Sequence, residues 1–476
     1  MNLSKLHTKK INKISEQIKN HYKSGDKRKI RFFHGSNNST RIINKSNNYL
    51  IDISFLDQVI SIDPQEKTAV VEPNVSMNKL VKECLKYNLI PKVVMELPAI
   101  TCGGGVNGAA LETSSFKYSQ FNDTCSEIEV VLGDGSIIHA SRKKNSDLFY
   151  GISSSYGSLG LIVSMNISLI PAKPFVHLTL IPTPTKDVAN EIERVIIEGG
   201  NDYIEGIVFS SANSMILKGK LSENTNLPLV TFSKSIDEWF YIYAEKIMKK
   251  NTKQEIIVPL KDYLFRYDRG AFWMGKYAYS LFHTSFNRFT RALLNPFMKT
   301  KVIFQALHRT NLSHRYIVQD FYIPLSKTNE FIYFCNKKVE IFPLWLCPIK
   351  ATTTPQFLSP HYLSENLLID VGVWGPVKNT SNLLEINQLF EKYVFEIGGK
   401  KMFYAETFYD KDFFWKIYDK EKYINLRKKY HANEIFPDIW EKINVKKDSY
   451  QNEKLDKAKI VKTTLQTMAE ALISRN

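Results

Sequence analysis

The stretch PAITCGGGVNGAALETSSFKYSQFNDTCSEIEVVLGDGS, Pro98 to Ser136, followed by NSDLFYGISSSYGSLGLIVSMNISLIP, Asn145 to Pro171, decides how this protein is built. Nine of the 21 glycines fall between Pro98 and Pro171, and glycine serves where backbone must take φ > 0 or come close to a ligand. Gly103, Gly104, Gly105 and Gly108 are interleaved with Thr101 and Asn107 and followed by Ser114 and Ser115. This spacing is expected to turn several main-chain N–H groups toward one anion, as a nest does, and a pyrophosphate fits. Glu127–Leu132 and Ser136–Ala140 flank Gly133-Asp134-Gly135 and read as two strands about an Asp-Gly turn. Asp147-Leu148-Phe149 then leads through Tyr156-Gly157-Ser158-Leu159-Gly160 into a β-branched strand from Leu161 to Ile170. The order is glycine cradle, hairpin, glycine loop, strand.

Working outward toward the N-terminus, a short strand over Lys29–Phe33 enters His34-Gly35-Ser36-Asn37-Asn38-Ser39-Thr40. These small polar turn formers could bond phosphate oxygens or make an ordinary polar turn. Strands are expected over Tyr49–Ile53, Val59–Ile62 and Ala69–Glu72, with a helix behind Ser76 that ends before Pro91. Residues 1–28 read as a basic amphipathic helix, with Leu3, Leu6, Ile11, Ile14 and Ile18 near helical spacing. Its apolar side either packs on the glycine-rich domain or lies in a membrane interface.

Composition limits the partners. Among 476 residues, 43% are hydrophobic and 12% aromatic, with 29 Phe and 24 Tyr, so the protein is globular with a large core, of two or three domains. Lys+Arg exceed Asp+Glu by 64 to 48, a net charge of +16. The lysines are scattered and no nucleic-acid fold signature accompanies them, so the excess reads as a basic surface or contact with anionic lipid, not as nucleic-acid binding. Five cysteines with no CxxC spacing point to neither a disulfide framework nor a metal site. No run of about 18 uncharged apolar residues occurs and the N-terminus has no apolar h-region. A cytoplasmic protein, at most peripheral to membranes, is expected. No internal repeat is visible.

Beyond Pro171 the composition turns aromatic and basic, punctuated by Pro171, Pro174, Pro182 and Pro184. Strands are expected over His177–Ile181, Tyr203–Phe209, Ser214–Leu221 and Val318–Ile323, with a helical, aromatic middle from Ile236 to Ala292. The phrase Arg266-Tyr267-Asp268-Arg269-Gly270-Ala271-Phe272-Trp273 sits in that middle and reads as a helix with salt bridges. Near the end, Lys401–Tyr404 reads as a strand that places Tyr404 and Glu406 on one face.

The cradle order resembles the FAD-binding domain of the vanillyl-alcohol-oxidase or p-cresol-methylhydroxylase (PCMH) type. More closely, ETSSFKYSQF, NSDLFY, GSLGLIVSMNISLIPAK, IVQDFYIP, FPLWLCP, LIDVGVWG, FYAETFYDKDFFW and FPDIWEKI together resemble the delta-24 sterol reductases, from about Arg31 to Val445. The resemblance implies an α+β fold: a PCMH-type FAD-binding domain of two subdomains at 29–175 behind the helix of 1–28, an α+β cap or substrate domain at 176–400, and a segment at 401–476 returning to the flavin. It implies noncovalent FAD held by His34, Gly35, Ser36, Asn37, Asn38, Ser39, Thr101, Gly103, Gly104, Gly105, Asn107, Gly108, Ser114, Ser115, Tyr118, Gly157, Gly160, Ile162 and Val163. It also implies NADPH as reductant and, as substrate, a carbon–carbon double bond on the side chain of a sterol or related prenyl lipid. An isolated alkene accepts hydride poorly, so a general acid is needed; the candidates are Tyr404, Glu406, Asp370 and Asp320. The same fold also hosts oxidases of alcohols or sugars that use O2, and a binding module without catalysis is a third reading.

Overall fold

The computed structural model describes residues 3–35, 48–223, 226–310, 312–352, 354, 356–377, 383–444 and 457–473. The first helix, Leu3–Ser24, buries Ile11, Ile14 and Ile18 against a small cluster formed with Ile30, Ile51, Val131, Leu161 and Phe436. Its apolar stripe is therefore used for packing. The turn of the hairpin receives it closely: a Cβ at Gly135, whose φ is +82°, would lie 2.7 Å from the Ser15 carbonyl oxygen. Only glycine meets both conditions there.

Strands β1 (Ile30–Phe33) and β2 (Tyr49–Asp52) pair in parallel. The next sheet holds β3 (Val59–Asp63), β4 (Thr68–Val71), β5 (Leu89–Pro91), β6 (Cys125–Val131), β7 (Ile137–Ser141) and β8 (Leu161–Pro171). Its order is β3-β4-β8-β6-β7, with β5 pairing β8. The Asp-Gly hairpin is thus β6–β7, and the β-branched strand after the glycine loop is its central partner.

Between Pro171 and Phe175 the backbone leaves this sheet for a second one of eight strands. These are β9 (Phe175–Pro184), β10 (Tyr203–Val208), β11 (Asn213–Ser222), β12 (Gln254–Pro259), β13 (Tyr316–Pro324), β14 (Leu344–Lys350), β15 (Leu367–Pro376) and β16 (Lys400–Lys401). The order β12-β9-β11-β10-β14-β15-β13-β16 is a palindrome about the β10–β14 contact. Each half runs strand, short 3-10 turn, 11-residue helix, strand, strand: β9, Val188–Glu198, β10, β11 and β13, Thr328–Lys338, β14, β15. No sequence repeat accompanies this duplicated topology. The halves share topology and the burial demands of a sheet covered by helices, which many apolar residues satisfy. A correction concerns Gln254–Pro259, which adds an edge strand inside the expected helical middle.

The helices Val188–Glu198, Thr328–Lys338 and Leu383–Glu396 cover one face of this sheet, closing a core that includes Ile192, Val195, Phe331, Phe390, Val371 and Val373. The alternation of LIDVGVWG follows from that: Ile369, Val371 and Val373 join this core, while Asp370, Gly372 and Trp374 point the other way. The other face looks toward the glycine-rich half.

Candidate active site

A cavity of about 640 Å³ runs along the seam between the two halves, within the size range of small-molecule sites. From the glycine-rich half it is lined by Thr101, Gly103, Gly104, Asn107, Gly108, Gly157, Gly160 and Ile162, with His34, Arg31 and Lys442 at the same end. Ser36, Asn37, Asn38 and Ser39 lie outside the described residues. Gly35, Gly105, Ser114, Ser115, Tyr118 and Val163 are not part of the lining. Gly35 is exposed, while the others make internal contacts: a Cβ at Gly105 would lie 2.7 Å from Met95 Cε, the Ser114 hydroxyl donates to the Lys92 carbonyl, and the Ser115 oxygen accepts from the Glu112 N–H. Val163 belongs to the cluster under the first helix, and Tyr118 packs beneath Lys92 and Lys117.

The cradle works differently from a nest. Residues Cys102–Gly108 form a short helix capped by Thr101, whose side chain accepts from Gly104 N. Three consecutive glycines make a poor helix, so two tertiary bonds, from Cys102 N and Gly103 N, support its own helical one from Gly105 N. Cys102 N donates to the Val75 carbonyl at 2.9 Å, Gly103 N to that of Pro73 at 2.8 Å, and Gly105 N to that of Thr101 at 2.8 Å. The N–H groups expected to face an anion are thus already engaged, and these glycines have ordinary φ values. What they supply is room. A Cβ at Gly104 would meet only Thr101 Oγ1, at 3.0 Å, and one at Gly108 only the Tyr156 ring, its hydroxyl oxygen at 3.5 Å. Both positions face the cavity, so the missing side chains leave a surface that a flat ring system or phosphate group can approach closely.

Opposite the cradle stands one face of the second sheet. Asp320 pairs across β13–β15 with Gly372, and Tyr322 with Asp370, so Asp320 and Asp370 project on the same side. Gly372 makes this possible, because a Cβ there would lie 2.6 Å from the Trp374 ring and 3.0 Å from Asp320 Oδ1. Phe272, Trp345 and Trp374 form an aromatic wall beside the two carboxyls, with Phe272 and Trp374 centroids 4.3 Å apart. Tyr404 and Glu96 complete the polar centre of the lining.

These carboxyls resist ionisation. Burial raises Asp320 to about 7, against smaller opposing effects of the Tyr404 hydroxyl and the Trp374 indole. Burial raises Glu96 to about 8, reinforced by Glu112. Asp370 is pushed well above the usual carboxylate range by burial and then by the charges of Asp320 and Glu96; neither of its oxygens has a hydrogen-bond partner among the described residues. An unpaired buried carboxylate would be costly, so the group keeps its proton.

Glu406 is not brought to this centre. The strand ends at Lys401 and the backbone turns over residues 403–405, so Tyr404 and Glu406 do not share a strand face. Glu406 is buried away from the lining, its carbonyl accepting from the Gln319 side chain at 3.0 Å. The Arg266 phrase is likewise a turn, with Ala271 and Phe272 at positive φ. Arg266 Nη2 bonds Glu112 Oε1 at 2.9 Å, and its Nε bonds Glu205 Oε1 at 3.0 Å. This fully buried ion pair joins the two halves beneath the aromatic wall. Sequence reasoning missed Glu96, Trp345 and Trp374; a lone carboxylate inside the apolar run VVMELP was the available signal for the first.

All five cysteines are free and buried, and no cluster of potential metal ligands occurs among the described residues. No described helix is long and apolar enough to cross a membrane.

Residues 15–141 match the FAD binding domain model, and the mixed α and β architecture is consistent with a two-part PCMH-type fold. The protein is similar over most of its length to Delta(24)-sterol reductases. It is 28% identical to that of Mus musculus over 402 residues, covering 83% of this sequence and 77% of the relative. It is 29% identical to that of Arabidopsis thaliana over 435 residues, covering 84% and 77%. The Delta(24)-sterol reductase homolog of Caenorhabditis elegans is 26% identical over 473 residues, covering 92% and 87%. Cytokinin dehydrogenase 1 of Arabidopsis thaliana is 28% identical over 149 residues, only 31% of this sequence.

Proposed function

We propose, from an FAD-binding domain within a protein similar to Delta(24)-sterol reductases, that the molecule reduces a carbon–carbon double bond on the side chain of a sterol or related prenyl lipid, with NADPH as the electron source. Bound FAD would supply the hydride chemistry, and the glycine cradle with His34, Asn107, Gly157 and Gly160 would hold it without a covalent link. The observation that carries the reading is the group of buried carboxyls, Asp320, Asp370 and Glu96, all shifted upward by burial, where the cradle meets the aromatic wall.

An alkene carbon gains a proton as its neighbour gains hydride, so the protein must hold an acid where water is scarce. Asp320 and Asp370 sit two β-pairs apart on one face and share a buried environment, so they act as a pair with Tyr404 beside them. Phe272, Trp345 and Trp374 exclude water and offer flat apolar surface to the substrate. The remaining cavity runs between Met274–Leu281, Thr300–Thr310 and Lys457–Ile473, where Phe282, Phe304, Leu307 and Met468 give it an apolar lining. That length of apolar channel suits a long hydrocarbon body better than a sugar.

The test is direct: supply the purified protein with FAD, NADPH and a sterol bearing a terminal side-chain double bond, then measure NADPH loss and the saturated product. Peroxide formation from alcohols or sugars with no sterol product would instead establish the oxidase reading. The likeness to cytokinin dehydrogenase covers less than a third of the sequence while that to Delta(24)-sterol reductases covers most of it, which favours the reductase.

A further inference from the structure

Between Asp268 and Asp320 the sequence holds no Asp or Glu, while eight Lys and Arg fall in that interval; Arg269 and Arg291 are buried, Lys299 pairs with Asp268 and Arg309 with Glu470 of the Lys457–Ile473 helix. The interval builds the Arg288–Leu293 helix, the 3-10 turn Asn295–Met298 and the Thr300–Thr310 helix. The Thr300–Thr310 helix packs on Lys457–Ile473, the 3-10 turn on both, and the Arg288–Leu293 helix on the turn; the turn and the two longer helices roof the apolar arm of the cavity, with Arg288–Leu293 at its edge. Large apolar side chains stand open to solvent on this roof: Phe289 at 75% exposure, Leu293 at 65%, Leu465 at 59% and Val461 at 43%. Each pair is spaced i, i+4, so each presents one helix face. Val461 and Leu465 also line the cavity, which places them at its mouth. Arg288, Lys301 and Lys462 are exposed among them.

We infer that this roof is a membrane-docking face, seated on a bilayer with anionic headgroups, through which an apolar substrate enters the cavity. The inference rests on the lipid-substrate reading above. An exposed apolar patch at the mouth of an apolar channel and ringed by cations matches an interface where acyl tails lie beneath phosphates. A second copy of the protein fits poorly, because a two-fold contact would set this acid-poor, cationic surface against itself. The basic N-terminal helix, the other amphipathic element, buries Ile11, Ile14 and Ile18 of its apolar stripe against the FAD-binding half and leaves only Leu3, at the start of that stripe, exposed.

Co-sedimentation of the full-length FAD-loaded protein with vesicles tests this. Binding is expected to vesicles of phosphatidylcholine mixed with phosphatidylserine, to be weaker to phosphatidylcholine alone, and to be weakened but not abolished by salt. Phe289→Asp with Leu293→Asp, and separately Leu465→Asp, should each lower vesicle affinity at least tenfold; Ile197→Asp, equally exposed on the opposite covering helix, should not. All of these positions are exposed, so melting temperature and flavin content check that the variants fold. Failure of the wild type to bind anionic vesicles would overturn the inference, as would roof variants that bind normally or concentration-dependent dimerisation that Phe289→Asp abolishes. Vesicle binding is read without substrate. Docking without sterol turnover therefore sinks the reductase reading alone, and turnover of detergent-dispersed sterol without docking sinks only the roof.

Discussion

Asp370→Asn separates a proton donor from a structural carboxyl. In the folded protein the Asp370 side chain is fully buried, with neither oxygen partnered among the described residues, and it is held protonated by burial and by Asp320 and Glu96. Asparagine has nearly the same shape and is also neutral, so at pH 7 the substitution removes no charge. It adds one buried amide group, and stability should change by no more than about 1–2 kcal/mol. The proton is lost altogether. Loss of a general acid costs about 10²- to 10⁴-fold, or roughly 2.8–5.6 kcal/mol of barrier at about 1.4 kcal/mol per tenfold. The assay is single-turnover product formation from sterol after reduction by NADPH, with flavin bleaching by NADPH recorded separately. Bleaching should proceed at the wild-type rate while product formation falls by that factor. Wild-type turnover in Asp370→Asn, with Asp320→Asn and Tyr404→Phe equally active, would refute the assignment of this cluster as the acid. Equal loss in both half-reactions would point instead to a damaged flavin site.

The pH profile should follow the same groups: Asp320 is protonated below about 7, so product formation should be flat on the acid side and fall as pH rises through that value. Asp320→Asn should remove the inflection. Gly104→Val should yield protein depleted of flavin, since its side chain would enter the open space before Thr101; absorbance of the purified protein reads this, and acid precipitation of the wild type should release all FAD. Arg266→Met strands Glu112 and Glu205 in the interior and should cost about 3–5 kcal/mol in denaturant unfolding, with little loss if a variant also carries Glu112→Gln and Glu205→Gln. Burial opposes the charge on His7, but hydrogen bonds to Glu129 and Glu72 outweigh it and raise the group to about 9. Its stabilising contribution is complete below its unfolded value near 6.5 and is lost as pH rises through about 9; His7→Leu should remove that loss from the melting curve.

The local order of the protein was written in its residues. Glycine and β-branched runs with an Asp-Gly turn between strands have few ways to fold, because φ/ψ preference and period-2 burial act over a handful of neighbours. The hairpin β6–β7, strand β8, the Ser76-capped helix and the packed stripe of the first helix were therefore legible, as was the presence of Asp320, Asp370 and Tyr404 on segments bound for the site. Tertiary structure alone decided what those segments do together. The glycine cradle reads as a nest in sequence, yet its N–H groups are taken by Val75, Pro73 and Thr101, partners up to 30 residues away. Glu406 looked like the companion of Tyr404 until the end of the strand at Lys401 sent it elsewhere. The acidity of the cluster is a property of no single residue: it arises because Asp320, Asp370 and Glu96, the last more than 200 positions from the other two, are buried around one cavity, and desolvation depends on what surrounds a group in space rather than along the sequence.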